Sequence, residues 1–211
     1  MGELDPHVQA GLKALPTGLA ELIGKHLMAA ALALESDDLE RALEHTRFAR
    51  TRAARVAVVR ELAGIVAYQA GEWAEAIAEL RTARRLGGGP GHLALMADSE
   101  RGLGRPERAL ELARSAAGAT LDPAEAVELR IVTAGARRDL GQLEAAAVEL
   151  QCPDLDIRRR DPWSARLFYA YADALAAIGR DDEAIRWFVA AADADEEGET
   201  DAAQRALELR G

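Results

Sequence analysis

The sequence holds a single cysteine, Cys152, and two lysines, Lys13 and Lys25, and only 4% of its 211 residues are aromatic. One cysteine cannot close an internal disulfide, which fits a reducing compartment. The marks of a β-sheet are missing as well. Val, Ile and Thr form only short runs such as Val56 to Val59, and no Asn-Gly or Asp-Gly turn joins alternating segments. No stretch reaches the roughly 20 uninterrupted apolar residues that a membrane span needs. The acidic start, Met1-Gly-Glu-Leu-Asp-Pro6, lacks the basic opening and apolar run of a signal peptide. The expectation is a cytoplasmic protein with no membrane partner.

What is present is helix chemistry. Hydrophobic residues make up 49% of the chain, dominated by Ala and Leu, which is enough for a substantial core. Unbranched side chains lose little rotamer freedom on a helix, so the composition reads as all-α. The net charge of −10 repels nucleic acid and anionic lipid unless the basic residues cluster. Nearly all of those basic residues are arginines.

One short segment recurs along the chain. It reads Asp37-Asp-Leu-Glu-Arg-Ala42, Gly71-Glu-Trp-Ala-Glu-Ala76, Gly104-Arg-Pro-Glu-Arg-Ala109, Gly141-Gln-Leu-Glu-Ala-Ala146 and Gly179-Arg-Asp-Asp-Glu-Ala184. The five alanines are separated by 34, 33, 37 and 38 residues, a period that stacked helix pairs produce. Small residues recur at two further places in register, Ala30, Gly64, Ala97, Ala134 and Ala172 before the turn, and Ala49, Ala83, Ala116 and Ala191 after it. Antiparallel helices reach an axis separation of about 8 to 10 Å only where the crossing residues are small. Larger neighbours such as Leu62, Ile77, Leu80, Leu175, Ile185 and Phe188 then fill the layers between pairs.

These residues resemble the tetratricopeptide repeat, with the copy running through Gly64, Gly71, Trp73, Ala76 and Ala83 the most complete. The resemblance covers about residues 23 to 197. It implies a right-handed α-solenoid of about five helix-turn-helix repeats in a single domain, 1–211, with residues 1–22 and 198–211 as terminal caps. Longer stretches, among them Val59-Arg-Glu-Leu-Ala-Gly64 and Trp163 to Leu175, resemble a group of actinobacterial tetratricopeptide-like proteins, a resemblance that brings no biochemical activity with it.

Local signals agree with that division. Asp37 and Asp122 each stand three residues before a Glu, the spacing of a capping box. Asp161-Pro162 and Gly104-Arg-Pro106 place Pro near a first helical turn. Breaks are expected at Gly87 to Gly91, Ala117 to Pro123 and Cys152 to Pro162. A helix from about Pro6 to Leu22, interrupted at Pro16, and another from about Asp201 to Leu209 complete the expected elements.

In such arrays the first helices of successive pairs line a concave groove. The resemblance maps that lining onto Glu61, Ile65, Tyr68 and Gln69, then Asp98 and Arg101, then Glu128, Ile131, Arg138 and Asp139, then Arg166, Tyr169 and Asp173. Tyr68, Asp98, Arg101, Arg138, Tyr169 and Asp173 are the candidate partner contacts. Arginine holds a carboxylate in bidentate fashion, so the implied guest is a peptide or helix of another protein, including one with an acidic segment. The same arginines also have acids within reach, Asp98 for Arg101, and internal pairing is the competing use.

Other features have plainer readings. Arg47, Arg50, Arg52, Arg55 and Arg60 form the densest basic stretch. It is spread over more than one helix face and has few aromatic neighbours, so nucleic-acid binding is a minor alternative. Self-association through an exposed Trp73 or Trp187 is another. Asp193-Ala-Asp-Glu-Glu-Gly198-Glu-Thr-Asp201 copies part of an EF-hand loop, but Gln204 stands where the closing bidentate Glu belongs, so the reading is a solvated acidic loop. His7, His26, His45 and His92 show no local zinc spacing, and Cys152 has no activating neighbour. No cofactor, metal or catalytic residue is expected, and the chain reads as a binding scaffold rather than an enzyme.

Overall fold

The computed structural model describes residues 5–87, 91–116 and 120–211. Cα packing divides the chain into two compact units, 1–104 and 105–211, each described by itself. The described residues form twelve α-helices and no strand. The first unit holds α1 (Pro6–Leu12), the pair α2 (Thr17–Glu35) and α3 (Leu39–Arg52), the pair α4 (Ala57–Gln69) and α5 (Trp73–Gly87), and α6 (Leu93–Gly102). The second holds α7 (Pro106–Ser115), the pair α8 (Pro123–Asp139) and α9 (Leu143–Glu149), the pair α10 (Ser164–Ala177) and α11 (Asp181–Ala194), and α12 (Ala202–Glu208).

The turns explain the sequence period. Asp37, Gly71, Gly104, Gly141 and Gly179 all adopt left-handed backbone, with φ of 57, 72, 70, 71 and 74°. In four of these turns the next N–H reaches back to a carbonyl five residues earlier, Asp38 to Ala33, Glu72 to Ala67, Gln142 to Arg137 and Arg180 to Leu175, at 2.8 to 3.0 Å. That bond closes the first helix and aims the chain into the second, and Gly is the residue that adopts the required φ without strain. Asp37 does the work of a glycine here. It therefore cannot cap α3, and the capping aspartate is Asp38, which accepts from the N–H of Arg41 at 3.2 Å. Asp122 caps α8 as the spacing implies, accepting from the N–H of Glu125 at 3.1 Å.

The recurring alanines sit where helices cross. Ala42, Ala76, Ala109, Ala146 and Ala184 are each 0% exposed. At Gly64 even a methyl would be too large, because a Cβ there would lie 2.6 Å from two carbons of Leu80. Close approach of α4 to α5 thus depends on having no side chain at that point. In the second unit Phe168, Leu175 and Phe188 are fully buried between α10 and α11.

Differences from the sequence reading lie at the ends and connections. The N-terminal helix stops at Leu12, and the residues after Pro16 begin the long first helix α2. By length and composition α2 could cross a membrane; in the first unit it buries one face, with Ile23, Leu27 and Ala30 at 0, 2 and 0% exposed, and leaves Leu22 and Leu32 exposed. The break expected from Cys152 to Pro162 consists of turns. The breaks expected at Gly87 to Gly91 and Ala117 to Pro123 fall partly outside the described residues, at 88–90 and 117–119.

Candidate functional site

Within each unit the first helices are joined laterally by polar side chains, and the candidate contacts are among them. In the first unit the hydroxyl of Tyr68 on α4 donates to Asp98 Oδ2 on α6 at 2.7 Å. Arg101, one turn further along α6, donates to Asp98 Oδ1 at 2.7 Å. Tyr68, Asp98 and Arg101 therefore form one cluster, all partly exposed. Trp73 supports it from the start of α5, with its indole edge-on to Tyr68 at 5.5 Å between ring centres and lying against Gly102, where a Cβ would come within 2.7 Å. Trp73 is thus half-buried rather than exposed.

The second unit repeats the arrangement with different residues. Arg138 on α8 donates to Asp173 Oδ2 on α10, and Arg205 on α12 donates to Asp173 Oδ1 at 2.9 Å. Tyr169 donates to Asp201 Oδ1 at 2.7 Å, and Arg166 on α10 donates to Glu128 on α8 at 2.8 Å. Burial and the bond to Asp201 push the Tyr169 hydroxyl above its ordinary pKa, so it stays a neutral donor. Arg138, Tyr169 and Asp173 are brought together, and Arg205 and Asp201 join them. Those two were not anticipated. The available signal is that Ala206 follows Ala172 by one period, residues 172 and 206, which puts α12 in the register of a first helix.

The basic stretch behaves differently. Arg47 and Arg50 of α3 reach Glu75 of α5 at 2.6 and 2.9 Å, and Arg50 and Arg60 reach Glu79 at 2.8 and 2.6 Å. Glu79 is only 5% exposed, so these arginines neutralise a carboxylate that would otherwise be buried alone. The hydrogen bonds from Arg47 hold Glu75 below the ordinary carboxylate range against the opposing push of burial. Arg52 lies over the Phe48 ring at 4.0 Å. Of the five, Arg55 remains on an exposed turn.

Two histidines that look unrelated in sequence also meet. His26 Nδ1 and His45 Nδ1 are 3.0 Å apart, and His26 stacks on Phe48 at 4.0 Å. Burial, then His45 and Arg52, push His26 below its ordinary pKa. Elsewhere His92 bonds to Glu61 at 2.7 Å and holds that carboxyl low. Trp187, like Trp73, is half-buried, packed between Phe168 and Tyr171 at 5.3 Å from each. Both tryptophans are therefore packing residues, because aromatic neighbours or a bare glycine complete their surroundings.

The acidic loop before α12 is organised around one of its own members. Asp195 accepts from the N–H of Glu199 at 2.9 Å and from the N–H and hydroxyl of Thr200, both at 2.7 Å. Its oxygens are used to shape the loop rather than gathered about a common point. Among the described residues no group of three or more His, Cys, Asp or Glu side chains is placed to hold a metal ion.

Paired helices closed by left-handed turns, alanine at each crossing and a lateral polar network between first helices define a tetratricopeptide-repeat α-solenoid fold. A solved structure with the same fold is the crystal structure of YrrB, described as a TPR protein with an unusual peptide-binding site. It matches with a TM-score of 0.53 at 20% sequence identity, covering 88% of this chain and 90% of that one. No family model and no curated protein matches the chain.

Proposed function

We propose that the protein is an interaction scaffold whose first helices receive a peptide or helix of a partner protein, with Tyr68, Asp98, Arg101, Arg138, Tyr169 and Asp173 as the contacts. The observation that carries this reading is the chemistry of the first-helix face. It combines aromatic hydroxyls with paired charges, whereas a face serving only to pack would be apolar. A guanidinium fork has five donors, more than a single aspartate oxygen takes, so Arg138 can hold Asp173 and still present donors to a guest carboxylate. An acidic segment or chain terminus is the guest this face suits. The peptide-binding site described for YrrB supports the same use of the fold.

A nucleic-acid partner is the weaker reading, because it would have to draw Arg47, Arg50 and Arg60 away from Glu75 and Glu79. The site calls for no cofactor and no catalytic step. We place the scaffold in the cytoplasm on the strength of its single, half-buried cysteine. The test is the double variant Arg101→Ala with Arg138→Ala. Its helical circular-dichroism spectrum should match the unaltered protein while recovery of partners in a pull-down falls several-fold. Unchanged recovery would overturn the assignment.

A further inference from the structure

The short helix α1 occupies an informative place. It packs on α2 and α4, the first helices of the two leading pairs. Leu12 is 4% exposed and joins a core cluster with Ile23, Leu27, Val58 and Val59. One residue earlier, the backbone of Gly11 lies so close to Val58 that a Cβ would stand 2.7 and 2.9 Å from its two methyl groups. At the other end of α1, His7 Nε2 lies 3.9 Å from Glu61 Oε2. Val58, Glu61, Ile65 and Tyr68 are spaced by three, four and three residues, so they form one stripe of α4. The upper half of that stripe leads to the candidate contact Tyr68. The lower half is covered by α1.

We infer that this lower half is a docking surface for an amphipathic helix, and that α1 is its resident occupant, displaced when a partner helix of the same chemistry arrives. The inference rests on the scaffold reading and narrows it. The chemistry is read from α1 itself: a small residue that lets its backbone approach the Val58 side chain, a leucine directly after it for the pocket beside Ile23 and Leu27, and an imidazole about one turn earlier beside Glu61.

The resident helix is capped by Asp5, which accepts from the His7 N–H at 2.7 Å, but it is short. It has only seven residues and contains a glycine, and a helix that short does not persist in water without its docking contacts. It is joined to α2 through Lys13-Ala-Leu-Pro16, and Pro16 is extended rather than helical, with φ −55° and ψ 142°. A tether of this length keeps α1 at an effective concentration on the order of millimolar, high enough to exclude weak guests and low enough to yield to strong ones.

The test uses the full chain and a fluorescein-labelled peptide of residues 5–15 as the probe. In the variant Leu12→Ser the resident helix is loosened, so the peptide should bind at least tenfold more tightly than to the unaltered chain. Adding Val58→Asp should remove that gain. Equal affinity for the unaltered and Leu12→Ser chains, or binding that survives Val58→Asp, would overturn the inference. Hydrogen exchange on the unaltered chain gives an independent readout. The amides of α1 should exchange at least a hundredfold faster than those of α4, and excess peptide should speed them further. Amides of α1 as slow as those of α4 would identify it as a fixed cap and sink the inference. A dimer by light scattering that dissolves on adding peptide would mean that the helix is exchanged between two copies, and would overturn the partner-helix occupant. A negative result here combined with a positive pull-down for Arg101 and Arg138 removes only the role of α1. The reverse combination removes only the arginines.

Discussion

Asp98 is shared: its Oδ2 accepts from the Tyr68 hydroxyl and its Oδ1 from Arg101, each at 2.7 Å. One carboxylate thus joins α4 to α6 and orients the arginine beside it. Tyr68→Phe keeps the ring against Trp73 and removes one donor. We expect a loss of about 1 kcal/mol in a urea titration, the usual net worth of one hydrogen bond. Asp98→Ala should cost more, because it strips partners from both Tyr68 and Arg101.

The Glu79 cluster should be a sensitive charged site in the first unit. Glu79→Ala takes one carboxylate from both Arg50, which keeps Glu75, and Arg60, which keeps the Ala54 carbonyl, and we expect destabilisation of about 1 to 3 kcal/mol by thermal or chemical melting. Glu40→Ala, on the exposed surface of α3, should stay within about 0.5 kcal/mol.

Substitutions at the turns should carry opposite signs. Asp37→Gly relieves a non-glycine residue of a left-handed φ of 57° and should stabilise by about 0.5 to 1 kcal/mol. Gly71→Ala imposes that same strain at φ 72° and should destabilise by about 1 kcal/mol. Matched denaturant melts of the two variants check the pair.

Gly64→Ala tests the helix crossing. Its Cβ would overlap Leu80 at 2.6 Å and approach the Leu80 backbone nitrogen at 3.1 Å, so the loss should be about 1 to 3 kcal/mol. At Gly18 nothing lies within 4 Å, and Gly18→Ala should instead gain from helix propensity, by up to about 1 kcal/mol.

Acid should weaken the first unit in two windows. His26 is held below its ordinary value of 6.5, so the unfolded chain takes up the proton first. Its contribution is fully present above pH 6.5 and is lost as pH falls toward the lowered folded value. Glu61 and Glu75 are held below 4.5, and their contributions are present above that pH and disappear beneath it. Urea midpoints should fall across both windows, and His26→Phe should flatten the upper one.

The spacing of small residues made the helix pairs legible from the sequence alone, because close crossing tolerates nothing else: Ala42, Ala76, Ala109, Ala146 and Ala184 had to be small and are fully buried. The left-handed turns were legible at all five positions, Asp37 standing in the glycine slot of the first copy, but the cap of α3 was placed one residue early because aspartate also caps helices. The candidate face was legible as a list of positions. Of the side chains that meet on it, only the near pair Asp98 and Arg101 was legible, because Arg47 finds Glu75 and Arg138 finds Asp173 across 28 and 35 residues of sequence. Periodicity fixes the faces of helices but not the rotamers that choose partners between them. The half-buried state of Trp73 was hidden for the same kind of reason, since its cover is Gly102 on the following first helix.

The arginines of the first-helix face are neutralised before any guest arrives, as Arg138 and Arg205 are by Asp173. An acidic visitor gains little steering from arginines that are already paired, and the net charge of −10 on the chain opposes its approach. Discrimination falls to geometry at contact, and the rate at which a complex comes apart, more than the rate at which it forms, will separate a correct guest from a wrong one.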